Sequence, residues 1–389
     1  MQQLLSLFHP DQISIRHETR IAYSRDASRI HGECLAVVWP ETIEDMIRLI
    51  GWAAETGNDL VPRGAGTGLC GGATPQNSVV IDSARLRQIG SIDIPANKIV
   101  VEAGVPLDLL NRHLKPFELF FPVIPGSHRS ATIGGMIATN AAGLHAVRYG
   151  RIDEWVAEAT LIDGKGIIHH LSAGDRGGIA GWEGITGMIV QAALHLTEIP
   201  QQRSLTLLCF DDLKGMLEEV AHLKANPSLS ALEYINPQAA ALVGWAAKHT
   251  LLAEFHSMDG KVEATIDMAA IWRARESLSA RLTLAGFPIS EDPQILPEAQ
   301  ESTLDWLAIQ GIPVFGHLGV GIIHPRFLQG DPRILELYHR VSASGGQISG
   351  EHGMGLKKRQ WASLAMKVKA QALKTQFDPQ GVFNRGKLC

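Results

Sequence analysis

Residues 62–72 read PRGAGTGLCGG, with five glycines between Gly64 and Gly72. Glycine loses more conformational freedom on ordering than any other residue. A run this dense therefore demands either tight turns at positive φ or a ligand held directly against main-chain N–H groups. Alone, the stretch is equally compatible with a glycine-rich surface loop. Two further clusters follow, PGSHRSATIGGMIATNAAG over residues 125–143 and GWEGITGMIV over 181–190. Each is bracketed by strand and helix patterns, and three such loops exceed what ordinary turns require.

The 389 residues suffice for two domains, and 45% hydrophobic with 19% charged residues is the composition of a globular chain with a substantial core. A net charge of −5 without a clustered Lys/Arg tract argues against nucleic acid, which needs a basic face to neutralise phosphates. The four cysteines, Cys34, Cys70, Cys209 and Cys389, form no Cys-x-x-Cys pair. Neither a disulfide framework nor an iron–sulfur cluster is expected, and a reducing cytoplasm fits. The N-terminal MQQLLSLFHPDQ lacks the basic start and apolar length of a secretory signal. No stretch reaches the ~18 apolar residues of a spanning helix, so any membrane association is expected to be peripheral, through a partner.

Along the chain, Ile43, Met46, Ile47 and Ile50 recur at helical spacing between early acids and Gly57, predicting one amphipathic helix. The segment KIVVEAGVPLDLLNRHL predicts a strand running into a second helix. Beyond residue 202 the glycines thin out, and TLLCFDDLKGMLEEVAHLKANPSLSALEYI alternates strand-like and helical stretches. The expected division is a domain over residues 1–202 and a second over 203–389, whose glycine- and histidine-rich end begins at VFGHLGVGIIHP.

Successive backbone amides can form an anion-binding concavity that cradles a pyrophosphate without a lysine. No Gly-x-x-x-x-Gly-Lys-Ser/Thr occurs, and no Gly-x-Gly-x-x-Gly is followed by an acidic residue at the end of a second strand, which weakens the P-loop and Rossmann alternatives. The order of motifs resembles the p-cresol methylhydroxylase and vanillyl-alcohol oxidase superfamily, in particular its D-2-hydroxyacid dehydrogenase branch. The residues carrying the likeness are the 62–72 loop, PGS at Pro125, ATIGGMIATNAAG, YG at Tyr149, EGITG at Glu183, WRARE at Trp272, GHLGVGIIH at Gly316 and SGEHGMG at Ser349. The resemblance implies an α+β fold: a two-part FAD-binding domain, an α/β cap domain for substrate, and a C-terminal segment returning to the flavin. It also implies FAD contacts at Pro62, Arg63, Gly64, Ala65, Gly66, Thr67, Gly71 and Gly72, then at Pro125, Gly126, Ser127, Thr132, Gly134, Gly135 and Asn140. Gly143, Tyr149, Gly150, Glu183, Gly184, Gly187, Ile189 and Asn384 complete that set. Relatives with covalent flavin often carry a histidine in the first loop. Thr67 stands in that neighbourhood, implying noncovalent FAD.

His317 and His324 are an odd number of residues apart, which on a regular strand would send them to opposite faces; Gly316, Gly319 and Gly321 permit the turn that unites them. Two imidazoles and a carboxylate suit a divalent transition metal such as Zn²⁺, and Glu351 is the natural third ligand, although ordinary loop histidines would read the same way. His352 is the candidate general base, since a neutral imidazole can take a hydroxyl proton near neutral pH. Arg275 stands where the family carries a substrate arginine, and its planar fork suits a carboxylate. Val320 and Ile322 replace an Asp and an Asn of the family's metal loop, and ISEDPQILP offers no lysine for a second substrate carboxylate. The expected activity is oxidation of a small 2-hydroxy acid, glycolate or D-lactate. Electrons would go to a quinone, a carrier flavoprotein or a separate iron–sulfur subunit. A weakly active FAD-binding subunit of a glycolate oxidase-like complex is the alternative.

Overall fold

The computed structural model describes residues 1–172, 180–257 and 267–388. The chain forms two compact units, the first made of Met1–Ala141, Arg151–Glu198 and His352–Cys389, the second of Ala142–Gly150 and Ile199–Glu351. The break after Glu198 lies close to the expected boundary at residue 202. Two segments depart from a division into consecutive halves, Ala142–Gly150 and the C-terminal piece, and each follows its own packing.

In the first unit, a four-stranded sheet runs in the order Ile13–Ser14, Glu33–Val38, Gln76–Asp82, Leu60–Arg63, and the last three strands are parallel. The predicted amphipathic helix spans Ile43–Thr56. Thr42 and Asp45 close a reciprocal capping box at its start, and Gly57 ends it at φ +68. Its buried face is Met46, Leu49, Ile50, Trp52 and Ala53. Ile47, expected on that stripe, is 37% exposed because Leu49 and Trp52 turn the buried face away from it. A five-stranded antiparallel sheet follows, ordered Ile89–Asp93, Lys98–Glu102, Met188–His195, Val156–Ile162, Ile168–Ser172. Each fully buried Leu or Ile in these layers contributes about 1.5–3 kcal/mol by leaving water.

The C-terminal segment completes this unit. The Leu60 N–H donates to the Val382 carbonyl at 2.8 Å and the Asn384 N–H to the Leu60 carbonyl at 2.9 Å, so the chain end pairs along the otherwise open Leu60–Arg63 edge. Trp182, Ile185, Met354, Ala362, Ala370 and Leu388 seal it with a common apolar cluster.

The second unit is built on a mixed-length antiparallel sheet in the order Gln202–Phe210, His249–Ser257, Leu229–Ile235, Val314–Gly316, His324–Phe327, Ile289–Ser290. The helix Met268–Leu284 lays Trp272, Leu278 and Leu282 against Leu205, Ile235, Leu252 and Phe315 of that sheet. Ala142 and Ala146 of the excursion pack on Ile322, and Arg148 Nη1 donates to the Pro227 carbonyl at 2.9 Å, contacts that tie that short segment to the second unit. Among the described residues, no helix is long and apolar enough to cross a membrane.

Candidate active site

In the first unit, the glycine clusters meet at one cleft, whose lining includes Pro62, Arg63, Gly64, Gly134, Gly135, Gly184, Gly187 and Ile189. Not every glycine there exists for a ligand. A Cβ on Gly64 would lie 2.2 Å from Thr132 Oγ1, one on Gly72 would lie 2.9 Å from Glu183 Oε2, and one on Gly134 would lie 2.6 Å from the Ala103 methyl. These three are small because the protein packs against itself. Gly135, which lines the cleft, differs: a Cβ there would meet Thr132 Oγ1 alone, at 3.1 Å. Gly135 has little internal reason to lack a side chain, and a closely approaching ligand supplies one. A cleft lined by these glycines fits a group held directly against the main chain, as the pyrophosphate of a flavin dinucleotide is.

The other residues expected around the flavin are placed as follows. Ala65 and Thr67 continue the first loop, where Gly66 (φ +67) packs against the Arg63 guanidinium and Gly71 (φ +83) against Ile30 and Leu356. Pro125 and Ser127 form a turn, their carbonyls accepting the His128 and Ala131 N–H groups at 2.9 Å. Thr132 caps the helix Ile133–Thr139, and Asn140 ends it at φ +49. The polar atoms of Glu183 and Asn384 bind the protein itself. Glu183 Oε1 accepts the Met354 N–H at 2.6 Å and the Gly355 N–H at 3.1 Å, while Asn384 Nδ2 donates to the Glu183 carbonyl at 2.5 Å. Burial pushes the Glu183 carboxyl up against the pull of those two N–H groups. Both residues anchor the returning C-terminus. Gly143, Tyr149 and Gly150 belong to the second unit.

In the second unit, the strand Val314–Gly316 leads into a 3₁₀ turn, Leu318–Val320, and the chain returns as His324–Phe327. Gly321 makes the return possible: it sits at φ +74, and a Cβ there would lie 2.3 Å from the Ile295 carbonyl oxygen. The turn places the His317 and His324 rings 5.3 Å apart at 89°. Glu351 Oε1 lies 3.3 Å from His324 Nε2, and its Oε2 lies 3.8 Å from His317 Nε2. One atom from each of the three residues falls within 4.8 Å of the others, which fits a single divalent ion. Val320 and Ile322, which stand in place of the family's Asp and Asn, pack with Ala142 and Ala146. His352 opens the last segment of the first unit.

Sequence reasoning missed Glu233. This residue, fully buried in the strand Leu229–Ile235, accepts from His317 Nδ1 with one oxygen and from Arg275 Nε, at 2.6 Å, with the other. Burial alone would push its carboxyl up, but Arg275 and His317 outweigh burial and hold it down at about 2. Burial likewise pulls the His317 imidazolium down, and Glu233 more than reverses that, for a net upward direction. Arg275 also lies 4.6 Å over the Phe315 ring, so its guanidinium is fixed on two sides. Asp292 was missed too; it accepts from Ser349 Oγ at 2.9 Å and the Glu351 N–H at 2.8 Å, holding Glu351 beside the two histidines. The available sign was an acid within a run of apolar strand residues, ALEYI, or within the loosely matching ISEDPQILP.

Residues 34–172 match the family model described as FAD binding domain, and residues 251–388 match the one described as FAD linked oxidases, C-terminal domain. The chain is 27% identical to the D-2-hydroxyglutarate dehydrogenase of Xanthomonas citri pv. viticola, over 91% of this chain and 89% of that one. It is 26% identical to the glycolate oxidase subunit GlcD of Bacillus subtilis, over 100% and 96%. To the D-lactate dehydrogenase of Archaeoglobus fulgidus it is 27% identical, over 92% and 91%. A solved structure of alkyldihydroxyacetonephosphate synthase superposes with a TM-score of 0.69 over 99% of this chain and 84% of the other, at 16% identity, which shows a shared fold.

Proposed function

Because this chain belongs to the FAD-linked oxidases, we propose that it oxidises a small D-2-hydroxy acid, glycolate or D-lactate, to the 2-oxo acid. The observation that carries this reading is the joint fixing of a carboxylate-binding arginine and a metal ligand by one buried acid, Glu233. Bound noncovalently, FAD supplies the two-electron acceptor for the hydride leaving the substrate α-carbon. His317, His324 and Glu351 would hold a divalent ion such as Zn²⁺, whose contribution is to make the hydroxyl oxygen more acidic.

The protein's own groups do the rest. Glu233 takes Arg275 by Nε and one terminal nitrogen, leaving the other terminal N–H groups for a substrate carboxylate. With one arginine so presented and no lysine between Ile289 and Pro297, a monocarboxylate is favoured over a diacid. His352 takes the hydroxyl proton, so the balance is one proton to the imidazole, one hydride to the flavin, and a new C=O bond. Electrons then leave to a quinone, a carrier flavoprotein or a separate iron–sulfur subunit, in the cytoplasm.

Anaerobic mixing of the FAD-loaded protein with glycolate, D-lactate, L-lactate and D-2-hydroxyglutarate tests the reading. Glycolate or D-lactate is expected to bleach the flavin. An oxidised spectrum with all four overturns the proposal. His352→Ala is expected to keep FAD and slow the reduction about 10²–10⁴-fold; an undiminished rate unseats His352 as base.

A further inference from the structure

A second cluster of ligating side chains lies in the same unit and has no part in the chemistry above. Glu254 and His256 stand two residues apart on the strand His249–Ser257, hence on one face, and His145 comes to them from the segment Ala142–Gly150. Glu254 Oε1 lies 2.7 Å from His256 Nε2 and 3.2 Å from His145 Nε2. The two rings are 5.1 Å apart, and all three residues are buried, at 7%, 0% and 4% exposure for His145, Glu254 and His256.

We propose that His145, Glu254 and His256 form a second transition-metal site, separate from His317, His324 and Glu351, that takes a nitrogen-preferring divalent ion such as Zn²⁺. Tetrahedral zinc with bonds of about 2.0–2.1 Å sets its ligand atoms about 3.3 Å apart; the 3.2 Å from Oε1 to His145 lies near that value, and the 2.7 Å to His256 must lengthen on coordination. Hydrogen bonding alone accounts poorly for the arrangement. Without an ion, His145 Nε2 and His256 Nε2 both face Oε1, which also accepts from Arg203 Nε at 2.9 Å, so three nitrogens crowd an oxygen with two lone pairs. An ion replaces two of those three contacts with coordination.

The surrounding groups are arranged as an outer shell. The Tyr149 hydroxyl lies 3.1 Å from His256 Nδ1; as acceptor of that ring N–H, it leaves the Nε2 lone pair for a metal. Trp272 Nε1 at 2.8 Å and Arg203 Nη2 at 3.0 Å hold the second carboxylate oxygen. Because Arg203 neutralises Glu254, the two imidazoles carry the selectivity, which favours Zn²⁺, Ni²⁺ or Cu²⁺ over Mg²⁺ or Ca²⁺.

The test uses FAD-loaded protein stripped with a chelator, titrated with Zn²⁺, and read by elemental analysis after dialysis. The wild type is expected to hold two equivalents, His256→Gln and His324→Gln one each, and the double variant none. Flavin absorbance of each variant reports an intact fold. Tyr149→Phe, which keeps the packing, is expected to weaken one of the two sites about 10–100-fold. A wild type with no zinc, or with one equivalent that His324→Gln abolishes, overturns the proposal, as does a full count in His256→Gln. A single equivalent that survives His324→Gln and vanishes in His256→Gln sustains this site while removing the metal from the proposed catalytic one.

Discussion

Gly135→Ala separates the demands of the fold from the demands of the flavin. Gly135 is the third residue of the helix Ile133–Thr139, with its N–H 3.4 Å from the Thr132 hydroxyl. Replacing glycine by alanine within a helix stabilises by about 0.5–1 kcal/mol. The new methyl would sit 3.1 Å from Thr132 Oγ1 and touch nothing else within 4 Å, a crowding relieved by a shift of a few tenths of an ångström. Those effects are of similar size, so the flavin-free protein is expected to melt within about 1 kcal/mol of wild type. In the cleft the same methyl occupies space needed by the ligand. Overpacking of a fitted site costs about 1–3 kcal/mol, which is roughly a 5- to 150-fold rise in the FAD dissociation constant. Titrating stripped protein with FAD by flavin fluorescence, alongside a thermal melt, measures both quantities. Gly64→Ala is the contrasting variant, because its Cβ would meet Thr132 Oγ1 at 2.2 Å and disturb the fold itself. Wild-type FAD affinity in a normally stable Gly135→Ala protein would refute the placement of the flavin against this helix.

Acid precipitation is expected to release all the yellow colour into the supernatant, since the 62–72 loop contains no histidine for a covalent bond; colour left in the pellet contradicts noncovalent binding. Lys387 offers a pH test. Burial pulls its ammonium from the ordinary value of 10.5 down to about 8, despite Asp59, Asp26 and Glu183. A base lowered on folding destabilises the fold below the lowered value, and that penalty disappears as pH rises from 8 towards 10.5. Relative to Lys387→Met, the wild type is expected to gain about 3 kcal/mol across that window, read by denaturant melts at pH 7 and pH 10; a flat difference would show that Lys387 is not buried as an ammonium.

Much of the fold was legible because local chemistry and tertiary packing agree. Early acids and Gly57 mark a helix in sequence, and in the structure Asp45, with Thr42, and Gly57 cap that helix. The odd interval between His317 and His324 called for a turn, and Gly321 at φ +74 makes it. Ile47 was misplaced because periodicity gives the spacing of a buried stripe but not which of two adjacent stripes faces the sheet. The excursion of Ala142–Gly150 was illegible for a related reason. Its place in the second unit rests on Ile322, Glu254 and His256, all far away in sequence, and no local pattern encodes those contacts.

The candidate site shows the same limit more sharply. Residue type and spacing pointed to His317, His324 and Glu351, whose donors are meant to be seen by an ion. The residues that aim them, Glu233 and Asp292, announce no chemistry on their own. A carboxylate at 0% exposure is untenable unless cations or N–H groups surround it, so each such acid implies partners that the sequence does not name. Glu233 requires both Arg275 and His317; removing either leaves a buried charge half compensated, and removing Glu233 frees both side chains to turn. Arg275 and His317 are therefore one mechanical unit, and a loss at either end is felt at the other although 42 residues separate Arg275 from their shared acid. Glu254 obeys the same rule with Arg203, Trp272, His145 and His256. In a strand that otherwise reads as apolar, an isolated Glu is thus the place to look for a site, because burying it is only tolerable where several donors have already been gathered.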